Sequence, residues 1–376
     1  MRVTFVSNYF SHHQQPLSDV LFQLTEGNYR FIATERIPLE RSTLGWRTDG
    51  VPDYVSEALG GNLSADDADW LQATDVLLFG SAPEALLKTY LADGGLAFRY
   101  SERPLKDGDS LLKRIPRWVR WHLRNPSKAR LYLLSAGAFA ASDYGSYGLF
   151  RTRSYKWGYF PPLSVCDGAA DTIASKLPAS LFWCGRFLDW KHPDLALGAA
   201  ALLNDAGYDM RLTMVGAGPM ELELRQMVED LQLHGKVEIL PPRSNETVRN
   251  LMQQHQVFLF TSDRREGWGA VLNEAMNGAC AVVASGVAGS TPYLVRHGQN
   301  GLVCDDLSAL TIAHQAAQLL DDKALRDRLS IEAYRTIAGV WNAQVAGRRL
   351  MELSAAIMNG EVAPDLFEDG PCSKAE

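Results

Sequence analysis

The chain has 376 residues, of which 46% are hydrophobic and 22% charged, with a formal net charge of −7. That length accommodates two domains with cores of their own, and no stretch approaches 18 uncharged apolar residues, so a membrane-spanning helix is not expected. The acidic balance argues against nucleic acid as a bulk partner and makes any basic cluster more informative. Cys166, Cys184, Cys280, Cys304 and Cys372 are scattered, odd in number and free of C-x-x-C spacing. Thiols in apolar runs are usually inert small hydrophobes, so neither a disulfide nor a structural metal is expected. The opening MRVTFVSNYF enters a strand pattern at once and has no apolar leader core, so the expected location is cytosolic.

Residues 2–7 read as a first strand, and a helix is expected from Pro16, a residue suited to a first helical turn. The loop between them, NYFSHHQQ, carries His12 and His13. A loop at a strand's carboxyl end lines the ligand crevice of a doubly wound sheet, and histidine is the side chain best matched to proton transfer near neutral pH. The alternative is a pair of loop histidines bonded to backbone. Further strands are expected at 29–33, 75–80 and 96–101, separated by helical or turn-rich sequence. This βα rhythm implies a parallel sheet. Glu102 follows the 96–101 strand at another carboxyl end, as a hydroxyl-binding candidate or an exposed turn residue.

Residues 113–130 hold seven Lys or Arg and no acid. Trp118 and Trp121 are three apart, and Arg114, Arg117, Arg120 and Arg124 flank them if Pro116 opens a helix. Basic residues beside tryptophan suit an anionic lipid interface, and a polyprenyl diphosphate would use the same charge. Alternatively the tryptophans pack on the core while the arginines are solvated. Nucleic acid needs the same ingredients but is disfavoured by the acidic remainder. Residues 131–142 read as another buried element, and Pro161 with Pro162 marks a crossing to a second domain.

In the second half, residues 181–187 form an apolar strand ending at Arg186, with Lys191 in the loop before a helix from about Asp194. Two cations five apart suit a loop that closes on an anion better than a helix face; otherwise they are a solvated pair. The strand in RLTMV leads through Gly216 and Gly218 into a helix, but a dinucleotide fingerprint would need a third glycine where Glu221 stands. KVEIL at 236–240 is a strand, and Ser244 or Asn245 caps the next helix. Residues 341–359 form an amphipathic helix, and 360–376 are polar, acidic and expected to be disordered.

The remaining stretch, 257–278, reads as a strand over 257–260, a loop over 261–267 and a helix over 268–277 that Gly278 stops. The loop empties onto a helix N-terminus, which carries unpaired N–H groups and about half a unit of positive charge. Gly267 and Gly269 would let phosphates approach the backbone closely. Glu266 and Glu274 flank this pocket eight positions apart. Phosphate repels carboxylates, so their plausible partners are hydroxyls, and a sugar diol offers two donors to one such acceptor. Two glutamates at this spacing also arise by chance on a solvated surface. The strand, glycine loop and helix together favour a nucleotide-sugar site.

EGWGAVLNEAMNG, from Glu266 to Gly278, followed by AVVAS and a second glycine-bearing loop at 286–290, resembles the E-x7-E motif of the retaining glycosyltransferases of family 4. The resemblance covers residues 178–360 well and the first half loosely; the glycine pair that many members carry in the first loop is absent. It implies an α/β protein of GT-B architecture, two Rossmann-like doubly wound domains facing a central cleft. Residues 1–162 would bind the acceptor and 163–340 the donor, the helix 341–359 would cross back to the first domain, and 360–376 would form the tail. The implied reaction is metal-independent transfer of a hexose from a nucleotide-diphosphate sugar to an acceptor hydroxyl with retention, in cell-surface polysaccharide or glycolipid synthesis. No D-x-D pattern lies at a strand end, in agreement, and no cofactor is expected.

By this resemblance Glu266 would hold the hydroxyls of the transferred sugar, the amides of Gly267, Trp268, Gly269 and Ala270 the diphosphate, and Glu274 the ribose. Gly185, Arg186 and Lys191 match a G-R-…-K pattern whose cations stabilise the departing diphosphate. Gly216 and Gly218 would form a turn near the nucleotide, and Arg243 would stand where relatives meet the base. His12, His13 and Glu102 would face the acceptor, lipid-linked or saccharide, with an anionic membrane surface as a further partner on the inner face of the plasma membrane. A nucleotide-sugar epimerase, which also occurs on this fold, and an inactive binding subunit are the rival readings.

Overall fold

Short runs of Val, Ile, Leu and Phe bounded by polar turns are what a parallel sheet covered on both faces requires. The computed structural model describes residues 1–38, 50–163 and 169–375. Two compact units emerge, Met1–Pro162 with Trp341–Glu376, and Leu163–Val340.

The first unit holds β1 (Val3–Ser7), β2 (Tyr29–Ala33), β3 (Val55–Glu57), β4 (Val76–Phe79), β5 (Leu96–Ser101), β6 (Leu131–Ala136) and β7 (Ser154–Trp157). They lie in the order β3-β2-β1-β4-β5-β6-β7, and every pairing is parallel. The second holds β8 (Leu177–Cys184), β9 (Arg211–Val215), β10 (Val237–Leu240), β11 (His255–Phe260), β12 (Ala281–Ser285) and β13 (Leu302–Cys304), in the parallel order β10-β9-β8-β11-β12-β13. In each sheet the chain first winds one way and then the other. The reversal falls between β1 and β4, and between β8 and β11. Such switch points open a crevice at the strands' carboxyl ends.

Val6, Ile32, Leu77, Phe79, Ala97 and Leu131 form a core layer of the first unit. In the second, Leu181, Trp183, Val257, Leu259 and Val283 pack against Ala196, Leu197, Ala200 and Leu203 of the helix Pro193–Asp205. Each such large side chain contributes about 1.5–3 kcal/mol on burial. The helix Ala343–Met358 packs on the helix Gln15–Leu24. A Cβ on Gly347 would stand 2.6 Å from Val20 Cγ1, so this contact is as close as a missing side chain allows.

Three expectations are corrected. Residues 361–375 are ordered, the last of them on the edge strand β7: Cys372 N–H donates to Lys156 O at 2.9 Å, Lys156 N–H to Ser373 O at 2.8 Å, and Ala375 N–H to Ser154 O at 3.0 Å. Its acidic character is used locally, since Asp369 pairs with Lys156 at 2.7 Å. An unpaired sheet edge supplies the partners that the segment's composition lacks. The helix in the basic stretch is Leu111–Arg124, so Pro116 lies inside it rather than opening it. The helix after β11 is Ala270–Asn277, because Gly269 at φ +87° is left-handed and cannot continue a helix backward. Cys184, Cys280, Cys304 and Cys372 are free thiols, and Cys166 lies outside the described residues.

Candidate functional site

The switch point of the second sheet is flanked by the loops that leave β8 and β11. After β8 the chain passes Gly185 and Arg186 into a single 3-10 turn, Asp189–Lys191. After β11, Thr261 fastens the two loops: its hydroxyl bonds Lys191 O at 2.7 Å and His192 O at 2.9 Å, and it receives the Trp183 indole N–H at 2.9 Å. Asp263 N–H donates to Trp190 O at 2.8 Å. Arg265 braces the same junction by bonding both Asp263 (2.9 Å) and Asp189 (3.0 Å). The consequence is that Lys191 Nζ meets Glu266 Oε2 in an ion pair, with side chains only 13% and 10% exposed. The Ser262 hydroxyl donates to the same carboxylate oxygen at 3.1 Å.

The wall beside this pair is backbone. The amides of Gly267, Gly269 and Ala270 donate to no acceptor among the described residues, so the N-terminal end of the helix Ala270–Asn277 keeps its donors. Gly289 clips the second glycine loop onto this one: its N–H donates to Glu266 O at 3.1 Å, and Ser290 N–H to Trp268 O at 3.2 Å. A Cβ on Gly289 would fall 1.8 Å from Gly267 O, so only glycine fits. On the other side, a Cβ on Gly216 would fall 2.0 Å from Gly185 O, and one on Gly218 2.4 Å from Phe187 O. These two glycines therefore let the loops after β8 and β9 press together, whatever ligand role they have.

Glu274 projects from the same helix. Burial pushes its carboxyl up to about 7, partly offset by the Arg249 guanidinium 4.0 Å away. Its charge, added to burial, in turn holds the Cys184 thiol up near 12. A carboxyl of this kind, when ionised, is an acceptor suited to a ligand diol. Beneath the site, the Lys176 ammonium donates to Met252 O, Gln253 O, His255 O and Gly278 O at 2.9–3.0 Å. It thereby ties together the ends of the helices Asn245–Gln254 and Ala270–Asn277, where a cation also suits the helix dipoles.

The structure thus places Gly185, Lys191, Gly216, Gly218, Glu266, Gly267, Gly269, Ala270 and Glu274 in the loops and helix that follow β8, β9 and β11, around the switch point of the second sheet. Arg186 and Arg243 lie on exposed loops after β8 and β10, and Arg186 forms no ion pair among the described residues. The Trp268 indole is fully buried and donates to Asn273 Oδ1 at 2.8 Å, so the ligand contact expected of Trp268 rests with its backbone alone. Ser262, Arg249, Gly289 and Lys176 were not singled out from the sequence. Only Gly289 left a trace there, as part of the second glycine loop.

In the first unit, His12 and His13 follow β1 with ring centroids 3.9 Å apart, and His13 lies 5.8 Å from the Tyr159 ring. The Tyr159 hydroxyl donates to Glu102 Oε1 at 3.0 Å, and Lys106 pairs with the other carboxylate oxygen. The three sequence candidates therefore share one cluster, completed by a tyrosine and a lysine. The basic stretch divides. Trp121 is buried against Tyr144 and Tyr147, with centroids 5.1 and 4.6 Å away, so it is a core residue and not a surface anchor. Arg117 is bound to Asp109 and Tyr147, Arg114 lies 3.8 Å from Asp109, and Arg124 lies 4.0 Å from Glu84. Trp118 and Arg120 are exposed.

Residues 174–336, less than half of the chain, match the family model "Glycosyl transferases group 1". The chain is 32% identical over 130 residues to N-acetyl-alpha-D-glucosaminyl L-malate synthase of Bacillus anthracis, covering 34% of this chain and 33% of that protein. It is 27% identical over 191 residues to the putative colanic acid biosynthesis glycosyltransferase WcaL of Salmonella typhimurium, covering 49% and 47%. The matches thus span from a third to about half of the length of these curated relatives. Among solved structures, Anabaena HepE, in complex with UDP and glucose, superposes with a TM-score of 0.68 at 15% identity, covering 95% of this chain and 100% of that one. The pneumococcal O-GlcNAc transferase GtfA, with UDP and GlcNAc, gives a TM-score of 0.68 at 10% identity, covering 95% and 99%. These likenesses establish the fold: two doubly wound parallel-sheet domains of the GT-B type, as the motif resemblance implied.

Proposed function

We propose that this chain is a glycosyltransferase that moves a hexose from a nucleotide-diphosphate sugar to an acceptor hydroxyl, with retention and without a metal ion. The observation that carries this is the meeting of Lys191 and Glu266 beside the open amides of Gly267, Gly269 and Ala270, with Glu274 on the helix they begin. Loss of the diphosphate builds negative charge, and fixed cations and amide dipoles stabilise it without reorganising. Arg186, Lys191 and the amides of Gly267, Gly269 and Ala270 take that role. Glu266 accepts from hydroxyls of the transferred sugar and Glu274 from the ribose diol. The Lys191–Glu266 pair means that neither charge is stranded before the donor arrives.

The acceptor is a lipid-linked or saccharide hydroxyl, with His12, His13 and Glu102 as the groups that meet it. The names of relatives such as WcaL support a place in cell-surface polysaccharide or glycolipid synthesis. The protein works in the cytoplasm, with an anionic membrane surface as a partner; cell fractionation tests this. No helix among the described residues is long and apolar enough to cross a membrane.

A thermal-shift screen with nucleoside diphosphates tests the donor site, since a ligand at 100 times its Kd adds about 2.7 kcal/mol to the folded state. UDP is the first to try, because HepE binds it. No shift with any nucleoside diphosphate would refute the donor site. With the matching sugar donor, product formation in EDTA tests metal independence, and the anomeric proton coupling of the product tests retention. An isomerised donor in the absence of acceptor would instead indicate an epimerase.

A further inference from the structure

The helix Leu111–Arg124 is inside out. At about 100° per residue, its apolar residues Leu111, Leu112, Ile115, Trp118, Val119 and Leu123 fall on one continuous face. That face points to solvent: Leu112 is 92% exposed, Leu111 81%, and Ile115 and Leu123 77% each. The opposite side seats Trp121 in the domain core against Tyr144 and Tyr147. Lys113, Arg114, Arg117, Arg120 and Arg124 fill the remaining arc, and no acidic residue interrupts the helix. Lys113 and Arg120 form no ion pair among the described residues. A protein with net charge −7 therefore places an exposed apolar face, with Lys113 and Arg120 left without an acidic partner among the described residues, on one 14-residue element.

We propose that this helix is an in-plane anchor that docks the first unit on an anionic lipid bilayer. Its length decides the mode: 14 residues rise about 21 Å, short of the roughly 30 Å hydrocarbon core, so it lies along the interface instead of crossing it. Leu111, Leu112, Ile115 and Leu123 enter the acyl boundary, Trp118 sits at the headgroups, and the flanking cations meet lipid phosphates. Charge selects this occupant. A second copy would set the unpaired Lys113 and Arg120 against another such pair, whereas anionic lipid offers apolar depth and opposite charge together. The acidic remainder is repelled by the same surface, which leaves this helix as the oriented point of contact. Nothing in the second unit enters the argument, so the proposal and the donor-site reading fail separately.

The test is co-sedimentation of the full chain with vesicles of phosphatidylglycerol and phosphatidylcholine, against phosphatidylcholine alone. The expected result is pelleting with the anionic vesicles and at least about tenfold weaker binding to the neutral ones. The variant Leu112→Glu/Ile115→Glu, whose side chains lie in solvent, is expected to bind anionic vesicles at least about tenfold more weakly with unchanged circular dichroism and melting temperature. Lys113→Glu/Arg120→Glu is expected to weaken binding in the same direction. Wild-type protein left in the supernatant with anionic vesicles overturns the proposal, as does equal pelleting of either variant. So does a wild-type dimer, seen by light scattering, that Leu112→Glu/Ile115→Glu dissolves, because a second copy would then cover the face.

Discussion

Lys191→Met removes one member of an ion pair whose side chains are 13% and 10% exposed. It leaves the Glu266 carboxylate with Ser262 as its remaining side-chain donor among the described residues. Removing one partner of a buried pair costs about 3–5 kcal/mol, and the residual exposure places this case near 3 kcal/mol. For a unit of this size, 1 kcal/mol corresponds to about 2–4 °C, so calorimetry is expected to show the second unit melting roughly 6–12 °C earlier. The double variant Lys191→Met/Glu266→Gln replaces both charges with neutral groups of similar shape. It is expected to lie within about 1 kcal/mol of the wild type, a coupling of about 2 kcal/mol in a double-mutant cycle. Nucleoside-diphosphate binding by titration calorimetry is expected to stay impaired in the double variant. A single variant within about 0.5 kcal/mol of wild type would refute the buried-pair reasoning. Recovery of nucleotide affinity in the double variant would show that the pair is structural and does not bind the donor.

Three further outcomes follow from the same geometry. Because the native Glu274 carboxyl titrates near 7 and an ordinary one near 4.5, the folded state holds a proton that the unfolded state has released between those values. Stability therefore falls as pH rises through that window, by about 3 kcal/mol, and levels off above it; urea midpoints of Glu274→Gln are expected to be flatter in pH, and an unchanged slope would discard this cause. Lys176→Met leaves four carbonyls short of their ammonium and is expected to lower unfolding free energy by about 3 kcal/mol in urea titrations, a loss under about 1 kcal/mol being incompatible with the clamp. Gly289→Ala forces a Cβ to within 1.8 Å of Gly267 O. It is expected to cost about 1–3 kcal/mol and to weaken nucleoside-diphosphate binding at least about tenfold, whereas intact binding would detach the second glycine loop from the site.

The legible part of this molecule is what short-range pattern controls. VTFVS, YRFIA and VFLF announce strands because a strand buried on both faces must be apolar throughout. The βα alternation then fixes the parallel order, and EGWGAVLNE marks the loop that the second sheet's switch point needs. β3 and β7 are edge strands with sequences VSE and SYKW, too short and polar to stand out. The Lys191–Glu266 contact joins residues 75 positions apart, so the spacing within either loop could not disclose it. Lys176 serves carbonyls from the end of one helix, the start of β11 and the residue after another helix, a set that exists only once the unit is folded. Trp118 and Trp121 look alike in sequence, and only the fold says which one Tyr144 and Tyr147 enclose. The closing segment misled because its composition reports what it can bury by itself, while its order comes from pairing with β7.

The central claim is that a sugar diphosphate lies against the backbone that begins the helix Ala270–Asn277. A crystal soaked with a nucleoside diphosphate tests this most directly. The account predicts phosphate oxygens about 3 Å from the amides of Gly269 and Ala270, with Lys191 turned toward them and the ribose hydroxyls on Glu274. A nucleotide bound elsewhere on the second unit, with the Lys191–Glu266 pair undisturbed, would contradict it.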